Sequence, residues 1–156
     1  VCSSDLFQKK SEVMNLNILE SDNIVIRRET RTLWISKGKL HRLDGPAVLW
    51  DDGVEVWMFE DKIHREDGPA VIRANGDKVW FMHGKRHRLD GPAEERGDGT
   101  KEWRVNGQLH RIDGPAVIKA NGDKMWFFED KLHRLDGPAV ELRDGTKEWW
   151  KDGKME

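Results

Sequence analysis

Apolar and polar residues alternate along this chain in short bursts, none long enough for a helix. Runs such as "PAVIRA", "KVWFM" and "KMWFF" are rich in Val, Ile, Trp and Phe and are bounded by Gly, Pro, Asn or Asp. That pattern predicts strands joined by tight turns throughout. The turn chemistry recurs as well: "DDGV", "ANGDK", "GDGTK" and "RDGTK" each supply a Gly able to take the positive φ that a tight hairpin demands. The expected unit is a hairpin, for example "PAVIRA" turning at "NG" into "DKVWFM". The following "HGKRHRLDG" reads as a connector, and its Pro, which fixes φ and withholds a backbone donor, belongs at a strand entrance.

A fixed ruler orders these units. "HRLDGPA" at residues 41–47 returns as "HREDGPA" at 64–70, "HRLDGPA" at 87–93, "HRIDGPA" at 110–116 and "HRLDGPA" at 133–139, 23 residues on each time. Trp34, Trp57, Trp80, Trp103, Trp126 and Trp149 keep the same spacing, as do Gly53, Gly76, Gly99, Gly122 and Gly145. Every Pro belongs to the box, and Gly97 alone among 15 glycines stands off the ruler. A period held without insertion is the mark of a repeat array. It divides the chain into a capping half-repeat over residues 18–33, full repeats over 34–56, 57–79, 80–102, 103–125 and 126–148, and a partial repeat over 149–156. The cap keeps the strand pattern but lacks the box, as a terminal unit should. Residues 1–13 are expected to be a non-native or disordered leader ahead of one domain, 14–156.

The expected fold is all-β: tandem antiparallel β-hairpin repeats forming an extended meandering sheet or β-solenoid. Closure into a shallow barrel or ring of hairpins is the alternative, because closure removes exposed edges. With a two-residue loop at Asn75-Gly76, Val71 faces Trp80 and Ile72 faces Val79. On that register the Trp positions oppose Val48, Val71, Glu94, Val117 or Val140, while the other face sets Glu95 against Glu102 and Glu141 against Glu148. Opposed carboxylates want water, so the Trp face is expected in the core.

Composition then acts mainly by exclusion. With 27 basic against 29 acidic residues, the electrostatic footprint of a nucleic-acid binder is missing. A single Cys leaves no intramolecular disulfide. No apolar run approaches the roughly 18 residues of a membrane helix, and no signal-peptide core precedes the repeats, so the expected location is the cytoplasm. Eight Trp and five Phe without any Tyr make indole rings the main source of large apolar surface.

The box carries the candidate chemistry, and two readings of it stay open. In one, His41, Arg42, His64, Arg65, His87, Arg88, His110, Arg111, His133 and Arg134 form a row of ligand contacts, since Arg offers a fork to carboxylate or phosphate and a row binds with avidity. In the other, the favoured one, they are internal braces: Arg pairs with an Asp of its own or the next unit, His caps a backbone carbonyl, and Asp-Gly-Pro makes the bend. Every unit carries the whole box, which suits a joint that each repeat must supply. Trp50 and Trp150 lie off the ruler and are expected to be exposed contact residues, whereas His83 reads as a solvated turn residue. No catalytic residue, metal or cofactor is assigned. The boxes lack Ser and Cys, no copy stands out, and one His and one Asp per unit fall short of a zinc ligand cluster.

The 23-residue unit, with its aromatic, a Gly-Lys turn such as "KGK" at residues 37–39, a His, a Gly-containing box and a "DG" or "NG" turn, resembles a variant MORN repeat over residues 33–153. It departs from that pattern in lacking Tyr and in placing Arg-x-Asp-Gly-Pro-Ala where the usual repeat has Gly-x-Gly. Similar boxes occur in bacterial, phage and large-virus proteins. The resemblance implies hairpins laid side by side in an extended sheet that serves as a scaffold, a protein-binding surface or a lipid contact. The expected function is a non-catalytic protein-interaction or scaffold module with another protein as partner. The alternatives are an anionic lipid or glycan held by the Arg, His and Trp rows, and an antitoxin-like or immunity-like role.

Overall fold

In a computed structural model, residues 15–19 and 22–156 are described, with side chains from residue 22 onward; the leader expected at residues 1–13 lies outside them. Every regular element among the described residues is a β-strand, and every pairing is antiparallel. One 14-stranded sheet runs through the molecule; thirteen of its strands follow chain order, and Lys39–Leu40 branches off by pairing with the end of Arg31–Ser36. It begins with Asn15–Leu19, Asn23–Arg28 and Arg31–Ser36. Each repeat then adds one short hairpin: Val48–Trp50 with Glu55–Val56, Val71–Ile72 with Lys78–Val79, Glu94–Glu95 with Lys101–Glu102, Val117–Ile118 with Lys124–Met125, and Val140–Glu141 with Lys147–Glu148. The sheet is open, not closed into a barrel, with Asn15–Leu19 and Lys147–Glu148 at opposite ends of the strand order.

The hairpin register differs from the one read off the sequence. Val71 pairs with Val79 and Ile72 with Lys78, so the loop holds three residues, 74–76, rather than two. Arg73 N donates to Asp77 O at 2.9 Å, Gly76 N donates to Arg73 O at 3.0 Å, and Gly76 takes φ +89°. This is a tight turn closed by a left-handed Gly, the G1-bulge loop. The residue before the Gly selects it. Asn75 Oδ1 accepts the Asp77 amide at 3.1 Å, and Asp52, Asp98, Asn121 and Asp144 do the same for the residue two positions on. Such an Asx turn stabilises one local geometry, in which only the Gly needs positive φ.

A slip of one residue sends every side chain to the other face. The buried row is therefore Val48, Val71, Val79, Val117 and Val140, joined by the box alanines Ala47, Ala70, Ala93, Ala116 and Ala139 at 0% exposure. The Trp residues expected in the core are half-buried, and Trp149 is exposed. The expected water-facing carboxylate pairs also change partners. Glu94 opposes Glu102, and both are buried; Glu95 opposes Lys101, Glu141 opposes Lys147, and Glu148 opposes Val140.

The connector is a second hairpin. Phe81–Met82 pairs with Lys85–Arg86 across His83 and Gly84, whose φ values of 48° and 83° mark a type I′ turn. Lys37-Gly38, Glu60-Asp61, Asn106-Gly107, Glu129-Asp130 and Asp152-Gly153 take positive φ in the same way. These side hairpins dock along the array: Arg88 N donates to Arg104 O at 3.1 Å and Gly107 N to Arg86 O at 2.8 Å, and equivalent bonds recur at the other junctions. Each repeat thus runs from side hairpin to box to main hairpin.

Side chains also stitch the main-sheet loops. Asp77 Oδ1 accepts the Gly97 amide at 2.9 Å, Thr100 Oγ1 accepts Ala120 N at 3.2 Å, and Asp123 Oδ1 accepts Arg143 N at 2.9 Å. The Gly97 amide is the main cause holding the Asp77 carboxyl below the ordinary carboxylate value. The one off-ruler glycine is explained here, since a Cβ on Gly97 would collide with the Asn75 carbonyl oxygen of the preceding loop. Gly97→Ala is expected to part these loops at a cost of about 1–3 kcal/mol. Urea unfolding measures it, and an unchanged midpoint would show that the close approach is not kept in solution.

Candidate functional site

Each box wraps its own arginine. In the middle repeat the Arg88 guanidinium lies 4.1 Å from the centroid of the Trp80 ring, the indole eight residues earlier that opens the same repeat. Arg88 Nε donates to Asp90 Oδ1 at 2.9 Å, and Nη1 donates to Pro92 O and Glu95 Oε1, each at 3.3 Å. Gly91 closes the wrap, because a Cβ there would stand 2.8 Å from Arg88 Cζ. The other four units repeat the arrangement, with Arg–Trp distances of 4.1–4.3 Å and Arg–Asp bonds of 2.7–3.0 Å. Arg, Asp, Gly and Pro of the box therefore serve one object, a guanidinium sandwiched between an indole and its own loop.

Electrostatics follows from that wrap. The hydrogen bond from Arg, and then its charge, holds Asp44, Asp67, Asp90 and Asp113 below the ordinary carboxylate value. Stability from these pairs is present above the unfolded carboxylate pKa and is lost as pH falls through the lowered folded value. The outward end of the pair is the acid. Arg side chains are 22–26% exposed, whereas their Asp partners are 82–85% exposed.

The histidines face the next unit. His64 Nδ1 accepts the His83 amide at 3.1 Å and His87 Nδ1 accepts the Asn106 amide at 3.0 Å, while the Asp152 amide lies 3.2 Å from His133 Nδ1. Their expected role as caps of carbonyls is thus replaced by acceptance of amides. At the two junctions whose turn ends in Asp, that residue brings its own acceptor. Asp61 Oδ1 takes the Leu40 amide at 2.8 Å and Asp130 Oδ1 the Leu109 amide at 2.7 Å. His41 and His110 lean instead on Phe59 and Phe128, with centroids 4.7 and 4.6 Å apart. The exposed His83 ring stacks on His64 at 4.4 Å.

Trp50 and Trp150, expected to be exposed contacts, are half-buried. Arg31 lies 4.6 Å over Trp50, and Trp150 Nε1 donates to Glu148 Oε2 at 2.8 Å.

One repeat departs from the others on the buried face. Where its neighbour has Val71 and Val79, the third full repeat has Glu94 and Glu102. Arg96 bridges both carboxylates at 2.9 Å, Arg104 holds Glu102 through two nitrogens at 2.9 and 3.0 Å, and Arg104 also donates to Gly107 O at 2.9 Å. Arg86 Nη1 stands 3.2 Å from Glu94 Oε2, close enough for charge attraction although its alignment makes no hydrogen bond. Three arginines thus face the two carboxylates.

Residue-type reasoning overlooked the variable box position. Leu43, Leu89, Ile112 and Leu135 project from the box tips at 82%, 80%, 86% and 76% exposure, and Glu66 replaces them in the second box. The signal was visible in the sequence as a Leu or Ile between Arg and Asp in four of the five boxes. Between successive tips run grooves. One is lined by Leu43, Asp44, Trp57, Phe59, His64 and Glu66, and another by Ile112, Asp113, Trp126, Phe128, His133 and Leu135. Among the described residues no group of three His, Cys, Asp or Glu is placed to hold a metal, and no helix is long and apolar enough to cross a membrane. No protein-family model matches the chain, and no curated protein matches it.

Proposed function

We propose that this array is a non-catalytic protein-interaction or scaffold module of MORN-like hairpins, and that its contact edge is the row of box tips. The observation that carries the reading is the four Leu and Ile side chains at 76–86% exposure, each at the same position of its box, with Glu66 in that place in the second box. Single exposed apolar residues are ordinary, but a repeated apolar row is the mark of a contact surface. Each one sits on a loop held by an Arg–Trp sandwich and by arginine hydrogen bonds to the box Asp and the Pro carbonyl, so little order is lost on binding. The anionic-ligand alternative has less support, because the outward charged group is Asp and the guanidinium is already engaged.

The test uses one variant carrying Leu43→Ser, Leu89→Ser, Ile112→Ser and Leu135→Ser. Exposed substitutions of this kind cost within about 0.5 kcal/mol each, so the fold and melting curve are expected to persist. In capture from the native host, proteins retained by the wild-type chain are expected to be lost by the variant. Retention of the same set by both would move the contact surface elsewhere.

A further inference from the structure

We propose that the row of box tips takes a basic polyproline-II segment, one turn of the ligand to each repeat; this rests on the interaction-module reading above and names its partner class. Spacing is the first argument. Each repeat adds two strands to the main sheet, and neighbouring strands lie about 4.7–4.9 Å apart, so the boxes advance by roughly 9.4–9.8 Å. A polyproline-II helix rises about 3.1 Å per residue with three residues per turn, or roughly 9.3 Å per turn. Equivalent ligand side chains therefore meet equivalent boxes. Three residues of β-strand span about 10 Å, but side chains alternate and every third one points away. Seven residues of α-helix span about 10.5 Å and fall out of step by roughly 1 Å at each box.

Chemistry is the second argument. Every tip presents an Asp carboxylate at 82–85% exposure, and in four of the five a Leu or Ile beside it. Arg uses Asp Oδ1, which leaves the second oxygen to a cation from outside. Pyrrolidine rings suit grooves floored by aromatic side chains, and the stiff polyproline-II backbone adds little ordering cost. Trp57 with Phe59 and Trp126 with Phe128 supply such floors at the first and fourth box junctions. These lie three repeats apart, roughly 29 Å or about nine residues of polyproline-II. Asp44, Glu66 and Asp67 give the first groove three carboxylates against the two, Asp113 and Asp136, of the fourth, and the ligand's densest positive charge is expected there.

The test is fluorescence anisotropy of the full chain with labelled peptides of about twelve residues. A peptide of Pro-Pro-Arg units is expected to bind. Gly-Ser-Arg units, which keep the charge but not the helix, and Pro-Pro-Glu units, which reverse the charge, are each expected to bind at least roughly tenfold more weakly. Pro-Arg units, which break the three-residue period, should weaken binding to a similar degree. Leu89→Ser with Ile112→Ser should weaken Pro-Pro-Arg binding without altering the melting curve. Equal binding of the Gly-Ser-Arg peptide would reduce the site to simple charge attraction and overturn the proposal. Absence of Pro-Pro-Arg binding would also overturn it. In that case the interaction-module reading would still stand if the four-tip variant loses its captured partners, and would fail with it if those partners persist. Tighter binding of a neutral oligosaccharide than of Pro-Pro-Arg would replace the peptide by a glycan.

Discussion

Replacing Arg104 alone with Ala is expected to destabilise the protein by about 3–5 kcal/mol, because it strips the main partner from a buried carboxylate. Glu102 is 9% exposed and opposes Glu94, itself 4% exposed, across a strand pair. Arg104 holds it through two nitrogens, and only Arg96 remains hydrogen-bonded to it when that side chain is gone. Converting the whole cluster to the neighbouring repeat's residues should behave in the opposite way. Glu94→Val, Glu102→Val and Arg104→Phe reproduce Val71, Val79 and Phe81, and a buried ionic group exchanged for packed apolar residues is commonly neutral or stabilising by about 1–4 kcal/mol. The remaining Arg86 and Arg96 are 38% and 43% exposed and can turn their heads to water. Urea unfolding of the two variants separates the cases. A triple variant less stable than Arg104→Ala would show that the cluster is a net source of stability in its own right.

The second large effect lies in the wrapped arginine. Trp80→Ala is expected to cost about 3 kcal/mol, the low end for removing a large aromatic, because the indole is half-buried. Arg88→Ala should cost about 2 kcal/mol, since its charge-assisted bonds to Asp90, Pro92 and Glu95 are lost together. The double variant should cost less than the sum by about 0.5–2 kcal/mol, because each side chain loses its value when the other is absent. Arg88→Lys should recover little of the loss, for a lysine keeps the charge but not the planar fork that lies on the ring and reaches three acceptors. Strict additivity in a urea-unfolding cycle would detach the guanidinium from the indole.

Much of this architecture was legible in the chain. The completeness of every copy pointed to an Arg–Asp brace within its own or the next unit, and the structure shows the bond inside its own box in all five units. The register was not legible. Asn75-Gly76 suits both a two-residue type I′ turn and a three-residue bulged loop, and the choice rests on the Asn75 side chain bonding the Asp77 amide. The side hairpins escaped notice because their strands are two residues long, too short for any periodicity to register. Glu94 and Glu102 misled for a different reason. Their burial depends on Arg86, Arg96 and Arg104 converging from separate segments, which no local pattern announces.

By itself, the 23-residue period with its Gly, Pro and Asx punctuation determined that the chain is a succession of antiparallel hairpins, since such spacing leaves no length for helices. Only the tertiary structure decided which face is buried. Two registers one residue apart suit the Asn-Gly pair, and the one closed by the Asx turn buries Val and Ala while leaving Trp34, Trp57, Trp80, Trp103 and Trp126 each to carry an Arg. The same packing decided that the variable box residue stands outside. The loop closes on its arginine, so the side chain between Arg and Asp has nowhere to point but into solvent, where Leu43, Leu89, Ile112 and Leu135 stand.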